Sequence, residues 1–214
     1  MSEEVKYEQE SSSCDHDCSH CSSNCGDRKP DKSQFLEPMN EHSKIKRVIG
    51  VVSGKGGVGK STATINLGYA LASSGFKVCL IDADFGLKNL DVMMGLENRV
   101  VYDLKDVISS KASINQVLVK DKRNDGLYLL PAYKSLSMEY INLDYMIKII
   151  DELKSEFDYI LIDSPAGIEK GFEYATKLSN EAIIVATLDL TSLRDADRVI
   201  GLLLKDGINE ISLI

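Results

Sequence analysis

The feature that most constrains the fold is a glycine-rich loop between an apolar run and a helical pattern. Residues 54–61, GKGGVGKS, fit the pattern G-x-x-x-x-G-K-[ST]. The run 48–52 before the loop suits a buried parallel strand, and residues 61–74 repeat apolar positions at a helical period up to Gly75. A plain glycine-rich turn is the alternative, and the flanking strand and helix argue against it.

This loop predicts a nucleotide site that uses Mg²⁺. Glycines let backbone N–H groups approach phosphates, and the following helix adds the positive end of its dipole. Lys60 is expected to bind the β- and γ-phosphates, and the Ser61 hydroxyl is expected to ligate Mg²⁺. The expected nucleotide-binding residues are Gly54, Lys55, Gly56, Gly57, Val58, Gly59, Lys60, Ser61 and Thr62.

Strand-like and helix-like runs alternate along the rest of the chain. The predicted strands are 78–82, 127–131, 159–163 and 182–186, with a further strand starting at 211. The predicted helices are 143–156, 171–178 and 192–204, the last opened by a capping box at 192–195. This alternation predicts an α/β fold of the P-loop NTPase kind, a mostly parallel sheet with helices on both faces.

Aspartates follow two of these strands, where open α/β sheets bind ligands. The segment 81–84 reads IDAD, and the segment 162–167 reads IDSPAG. Asp163 is expected to hold Mg²⁺ through water, and Gly167 to let the following loop sense the γ-phosphate. Helix or turn capping is the alternative for each aspartate taken alone.

Residues 1–44 form an acidic, polar, cysteine-rich tail, and residues 45–214 form the predicted ATPase domain. The tail has almost no apolar periodicity, which predicts disorder unless a metal orders it. Its thiols suit an Fe–S cluster or Zn²⁺ with His16 and His20 as substitute ligands, and free thiols are the alternative. The candidate ligands are Cys14, Cys18, Cys21 and Cys25. Cys79 lies in an apolar strand and is expected in the core.

The composition excludes some classes of function. The chain has a net charge of −8, which argues against a protein dominated by nucleic-acid binding. No apolar run approaches the ~20 residues of a membrane span, and the N-terminus lacks the features of a secretory signal. These patterns predict a cytoplasmic protein.

Lys55 and four longer segments carry a family resemblance. A lysine directly after the first glycine resembles the deviant Walker A loop of the MinD/ParA/Mrp superfamily. The segments 82–108, 120–132, 157–172 and 192–203 resemble MinD, the ATPase family that positions bacterial division. The resemblance implies that Lys55 reaches the partner's nucleotide in a dimer, and that Asp82 lies near the metal. It also implies that Asp84 lies near the attacking water and that Asn89 lies near the nucleotide or the dimer surface.

The resemblance further implies a function. Members of this family hydrolyse ATP with Mg²⁺ in a nucleotide-sandwich dimer and help to position the septum, which makes Lys55, Lys60 and Asp84 the expected catalytic residues. The implied partners are MinC, MinE and the inner surface of the cell membrane, without nucleic acid. The family continues into a base-binding Asn-Arg segment and an amphipathic membrane helix, so the domain is expected to be truncated at its C-terminus.

Two other interpretations stay open at this point. The tail and the loop resemble ATP-dependent iron–sulfur carriers of the Mrp/ApbC type, although Cys79 is the one cysteine after Cys25 and the carriers' C-terminal Cys-x-x-Cys is absent. A nucleotide-binding fragment without turnover is the third interpretation. Residues 1–61 and 61–214 resemble different families, which suggests a composite chain joined in the shared loop, as a natural recombinant or an assembly artefact.

Overall fold

The computed structural model describes residues 46–84, 89–131, 142–168 and 170–214. The predictions on the tail 1–44 and on residues 85–88 lie outside these ranges. The strands are β1 Arg47–Val52, β2 Val78–Asp82, β3 Val119–Lys120, β4 Leu127–Leu130, β5 Tyr159–Asp163, β6 Glu181–Ile184 and β7 Glu210–Leu213. The helices are α1 Lys60–Ser73, α2 Leu90–Met93, α3 Leu104–Ile108, α4 Ile114–Val117, α5 Leu143–Glu156, α6 Lys170–Leu178 and α7 Leu190–Lys205, with a 3-10 turn at Glu97–Arg99.

The seven strands form one sheet in the order β3-β4-β2-β5-β1-β6-β7. Every neighbouring pair is parallel except β3 and β4, which confirms the predicted mostly parallel sheet. The chain runs from β1 to β2 on one side of β1, whereas β6 lies on its other side. Ligands bind at such reversals of strand order, outside the carboxyl ends of the strands.

Helices cover both faces of the sheet, as predicted. Neighbouring residues of β2 point to opposite faces because side chains alternate along a strand. Leu80 belongs to a core cluster that includes Ala72 of α1 and Leu90 of α2. Cys79 belongs to a cluster on the opposite face that includes Ile150 of α5. Cys79 is fully buried, as expected, and burial raises the pKa of its thiol.

The two ends of α1 show why local sequence predicts this helix well. Gly59 precedes the helix with a φ of 96°, and Gly75 follows it with a φ of 94°, a region that favours glycine. The N–H of Gly75 donates to the carbonyl of Ala72 at 3.1 Å, and the N–H of Phe76 donates to that of Leu71 at 3.3 Å. This arrangement satisfies carbonyls that the helix itself leaves unpaired.

The predicted capping box at 192–195 is wrong, because α7 begins two residues earlier. Asp189 precedes the helix, and its carboxylate accepts a hydrogen bond from the backbone N–H of Ser192 at 2.9 Å. The hydroxyl of Ser192 instead accepts from the N–H of Thr187 at 3.0 Å. An aspartate and a serine three residues apart both suit helix starts, and the tertiary position of the loop selects the aspartate.

Several short elements were not predicted, namely α2, α3, α4, the 3-10 turn and β3. Each spans five residues or fewer, which is too short for a periodic pattern. The strand expected from residue 211 is present as β7 and pairs in parallel with β6. Within the part of the chain that the structure describes, no helix has the length and apolar character to cross a membrane.

Candidate nucleotide site

A cleft of about 310 Å³ lies over the loop between β1 and α1. Gly57 and Gly59 in this loop have φ angles of 77° and 96°, which side chains other than glycine rarely adopt. The loop therefore curls its backbone around the cleft at the N-terminus of α1, where N–H groups attract anions. The lining residues are Gly56, Gly57, Gly59, Lys60, Ser61, Thr62, Asp84, Asn89 and Ala166.

The ammonium group of Lys60 is held by a hydroxyl at the start of the loop. Its Nζ donates to Ser53 Oγ at 2.7 Å, and Ser53 Oγ donates to the carbonyl of Lys55 at 2.6 Å. Lys60 and Ser53 are both buried. Burial lowers the pKa of Lys60, while the nearby carboxylates of Asp163 and Asp84 act in the opposite direction. The ammonium group of Lys60 is thus held close to the cleft. A phosphate bound in the cleft would offset the water contacts that this group loses by burial.

Asp163 at the end of β5 is bound by two hydroxyls of α1. Ser61 Oγ donates to Asp163 Oδ2 at 2.6 Å, and Thr64 Oγ1 lies 3.3 Å from Asp163 Oδ1. The carboxyl group is buried, and this burial raises its pKa to about 6, although the hydrogen bonds of Ser61 and the charge of Lys60 oppose the shift. The loop serine and this aspartate, both predicted as Mg²⁺ ligands, are therefore neighbours joined by a hydrogen bond.

Asp82 at the end of β2 lies directly beside Asp163 in the parallel register. Its Oδ1 accepts from the N–H of Asp84 at 3.0 Å, and its Oδ2 accepts from the N–H groups of Asn89 at 3.3 Å and Leu90 at 3.4 Å. Burial raises its pKa to about 7, and the charge of Asp163 adds to the effect of burial. Two buried carboxyls side by side favour a bound cation.

Asp84 and Asn89 both line the cleft, on the two sides of residues 85–88. Asp84 is partly buried, and its own backbone N–H is tied to Asp82. Asp84 is therefore held within the cleft near the loop, whereas Asp82 lies underneath it. The family resemblance implied different roles for Asp82 and Asp84. In the structure Asp84 lines the cleft, whereas Asp82 is buried.

The segment after β5 lies next to the phosphate-binding loop. Ser164 N–H donates to the carbonyl of Val51 at 3.1 Å, which ties the segment to β1. Ala166 lines the cleft, and a Cβ added at Gly56 would lie 3.4 Å from the Ala166 side chain. Gly167 has a φ of 89°, so the segment turns at a residue that tolerates this conformation. Glu169 lies outside the described residues.

Lys55 points away from the cleft toward the start of α7. Its Nζ lies 3.7 Å from Asp189 Oδ2, and both side chains are close to half exposed. Hydrogen bonds from Thr187, Thr191 and the N–H of Ser192 hold the pKa of Asp189 below its usual range, and Lys55 contributes further. An exposed ion pair of this kind contributes only about 0–1 kcal/mol, so Lys55 is easily released to another anion.

The first turns of α7 also pack directly against the loop. A Cβ added at Gly54 would lie 2.6 Å from Asp195 Cβ and 3.0 Å from the Asp195 carbonyl oxygen. Gly54 is thus required for close approach to α7. Sequence analysis missed Ser53, Thr64, Asp189 and Asp195 as parts of this site, because their contacts link distant segments. The hydroxyl residues that directly follow Lys60 in the sequence could have indicated that other serines and threonines nearby also take part in the site. No local pattern indicates Asp189.

The oxygen ligands around the cleft fit Mg²⁺. Ser61, Asp82 and Asp163 supply a hydroxyl and two buried carboxyls, all hard ligands. Among the described side chains, no three His, Cys, Asp or Glu residues converge into a metal site of their own. Mg²⁺ usually keeps several waters and binds through one or two carboxylates together with substrate phosphates, so the observed set is sufficient. The cysteines of the tail and the expected Fe–S or Zn²⁺ site lie outside the described ranges.

Comparison with known proteins gives a consistent result. Residues 46–205 match the family described as AAA domain. The septum site-determining protein MinD of Synechocystis is 55% identical over 170 residues, covering 79% of this chain and 64% of that protein. The chain thus spans less than two thirds of the length of this curated relative.

Solved structures of related proteins share the fold. The MinC:MinD cell division complex of Aquifex aeolicus has 49% identity and a TM-score of 0.71, covering 78% of this chain and 67% of that one. MinD of Pyrococcus horikoshii complexed with Mg-ADP has 32% identity and a TM-score of 0.67, covering 78% of this chain and 68% of that one.

Proposed function

The chain belongs to the AAA-domain family and, within it, to the MinD group of the ParA superfamily, and on that premise we propose that it is a Mg²⁺-dependent ATPase switch. The single observation that carries this proposal is the convergence of Lys60, Asp84 and Asp163 from three segments of the chain: Lys60 and Asp84 line one cleft, and the buried carboxylate of Asp163 lies close enough to act on the pKa of Lys60. A phosphate-binding loop, a buried carboxyl pair and a cleft-lining carboxyl are the parts that phosphoryl transfer requires.

Each part has a role that follows from its position. The loop N–H groups and Lys60 bind the phosphates of ATP, since Lys60 is a buried cation with few other partners. Ser61 and Asp163, with Asp82 beneath them, would hold Mg²⁺, which offsets the charge that develops on the transferred phosphoryl group. Asp84 lines the cleft and orients the attacking water, accepting its proton as the bond from the water oxygen to the γ-phosphorus forms and the bond from that phosphorus to the departing ADP oxygen breaks.

We further propose that ATP favours a dimer in which Lys55 reaches the partner's nucleotide. In the single chain the Lys55 side chain pairs with Asp189 in an exposed ion pair. A triphosphate supplied by a second copy carries more charge than one carboxylate, so it competes effectively for this lysine. The family resemblance supports this arrangement, and the weak ion pair makes the exchange energetically cheap.

The biological role follows the relatives. MinD proteins are named as septum site-determining, and one solved relative is in complex with MinC. We propose that this chain helps to position the division septum, with MinC and MinE as partners and the cytoplasmic face of the membrane as its place of action. Its ATP-dependent dimer would form the surface that these partners recognise.

Hydrolysis of ATP by the purified chain tests the proposed activity. Phosphate release is measured with and without Mg²⁺, and again with purified MinE and anionic lipid vesicles, for the wild type, Asp84→Ala and Asp125→Ala. Asp125 is a matched control because its side chain is 96% exposed and its partner is Lys120, away from the cleft. The wild type and Asp125→Ala should release phosphate in a Mg²⁺-dependent manner, whereas Asp84→Ala should bind ATP without turnover.

Two outcomes would contradict the proposal. Wild-type protein that binds ATP but releases no phosphate under any of these conditions would be a nucleotide-binding fragment without turnover. Normal turnover by Asp84→Ala would remove Asp84 from its role at the attacking water, while leaving the ATPase activity itself intact.

A further inference from the structure

Two hydroxyls of α1 bind the two oxygens of the same buried carboxylate. Ser61 and Thr64 are three residues apart, so both face β5 from one side of the helix. Ser61 Oγ donates to Asp163 Oδ2 at 2.6 Å, and Thr64 Oγ1 lies 3.3 Å from Asp163 Oδ1. The plane of the carboxylate is therefore set by contacts at both oxygens.

Thr64 differs from Ser61 in what else it touches. Thr64 is completely buried and, unlike Ser61, is not among the residues that line the cleft. Its Oγ1 also lies 3.0 Å from the carbonyl oxygen of Lys60, one turn earlier. A threonine hydroxyl has one hydrogen to donate, so the two acceptors share it. An ionised carboxylate is the stronger acceptor of the two.

We propose that Thr64 is a positioning residue that orients Asp163 for the Mg²⁺ of the bound nucleotide. This inference depends on the proposed function, because it assigns Thr64 to the same metal site. When Ser61 turns its oxygen toward the metal, Thr64 still holds Oδ1 of Asp163. The carboxylate then keeps the orientation in which it can bind a water of the metal or the metal itself. Partners of this kind around a metal ligand commonly affect metal affinity.

The simpler explanation is that Thr64 only bonds back to its own helix, as buried threonines often do. The chain contains a matched control for this explanation. Thr176 in α6 is also buried, and its Oγ1 lies 3.1 Å from the carbonyl oxygen of Glu173 and 3.4 Å from Asp206 Oδ2. It therefore makes the same two kinds of contact as Thr64, but away from the cleft.

The test measures the Mg²⁺ dependence of nucleotide binding rather than turnover. Binding of a fluorescent ADP analogue is titrated with Mg²⁺ and with EDTA for wild type, Thr64→Val, Thr64→Ser and Thr176→Val. Loss of the hydroxyl in Thr64→Val should reduce the Mg²⁺-dependent gain in affinity roughly tenfold and leave affinity in EDTA unchanged. Thr64→Ser restores the hydroxyl and should recover the gain to within about threefold of wild type. Thr176→Val should keep the full gain.

Each other result overturns the inference. An unchanged Mg²⁺-dependent gain in Thr64→Val would show that the hydroxyl of Thr64 does not act on the metal site. Failure of Thr64→Ser to restore the gain would show that packing rather than the hydroxyl matters. Should Thr64→Val not fold, Thr64→Ala supplies the same comparison with less bulk. Wild-type protein that shows no Mg²⁺-dependent gain at all would instead contradict the proposed function.

Discussion

Replacing Asp163 by asparagine should make the nucleotide-free domain more stable at neutral pH, although it removes a metal ligand. The carboxyl is buried beside Asp82, and burial raises its pKa from 3.8 to about 6. A group whose pKa is higher in the folded state than in the unfolded state destabilises the fold once it ionises. Asparagine keeps hydrogen bonds with Ser61 and Thr64, since hydroxyls can both donate and accept.

The size of the effect follows from the shift in pKa. Each pKa unit corresponds to 1.36 kcal/mol, so ionisation of Asp163 lowers the free energy of unfolding by about 3 kcal/mol. This stability is fully present below pH 3.8 and is lost as the pH rises toward about 6. The difference between Asp163→Asn and wild type should therefore grow by about 2 kcal/mol between about pH 4.5 and pH 7.5.

Urea unfolding in EDTA at several pH values measures this difference, because titrating groups away from Asp163 cancel between the two proteins. Loss of the Asp163 charge also reduces the upward shift in the pKa of Asp82, which adds to the difference at neutral pH. Asp121→Asn is a control with the opposite sign. Burial tends to raise the pKa of Asp121, but hydrogen bonds from Arg123 outweigh burial and lower it. The difference between Asp121→Asn and wild type should thus become more unfavourable as the pH rises from below the folded pKa of Asp121 to just above 3.8, and should stay flat at higher pH. A difference for Asp163→Asn that is flat with pH, or that shrinks toward neutral pH, would refute the reasoning.

Three further predictions concern the loop. Lys60→Ala should weaken binding of a fluorescent ADP analogue at least a hundredfold, about 3 kcal/mol, because the buried phosphate cation is lost; retained affinity would remove Lys60 from the site. Lys55→Ala should change the free energy of unfolding in urea by less than 1 kcal/mol, since its pair with Asp189 is exposed, yet it should abolish ATP-dependent dimers in analytical ultracentrifugation. Persistent dimers would show that Lys55 does not act across the interface. Gly54→Ala should lower stability by about 1–3 kcal/mol in urea unfolding, because its Cβ would clash with α7, whereas Gly201→Ala has open space and should not. Equal effects of the two substitutions would exclude the clash as the cause.

Much of the fold and part of the site follow from local sequence. The loop 54–61 is readable because its glycines, Lys60 and Ser61 are neighbours in the chain, and each needs a particular local conformation. Strands that are buried on both faces must be continuously apolar, which makes β1, β2 and β5 visible as short apolar runs, and β2 and β5 each end in an aspartate. Those same polar residues, Asp82 and Asp163, are therefore predicted at the carboxyl edge of the sheet.

The tertiary structure decided what those residues contact. The strand order places Asp82 beside Asp163, whose charge adds to the effect of burial in raising the pKa of Asp82. Thr64 meets Asp163 across 99 residues of sequence, so no local spacing could indicate the contact. The start of α7 at Asp189 rather than Ser192 likewise depends on where the chain leaves β6. Sequence alone thus determined the loop and the strands, because their conformations are local. The contacts of Asp82, Thr64 and Asp189 were decided only by the folded sheet, because they depend on which distant segments become neighbours.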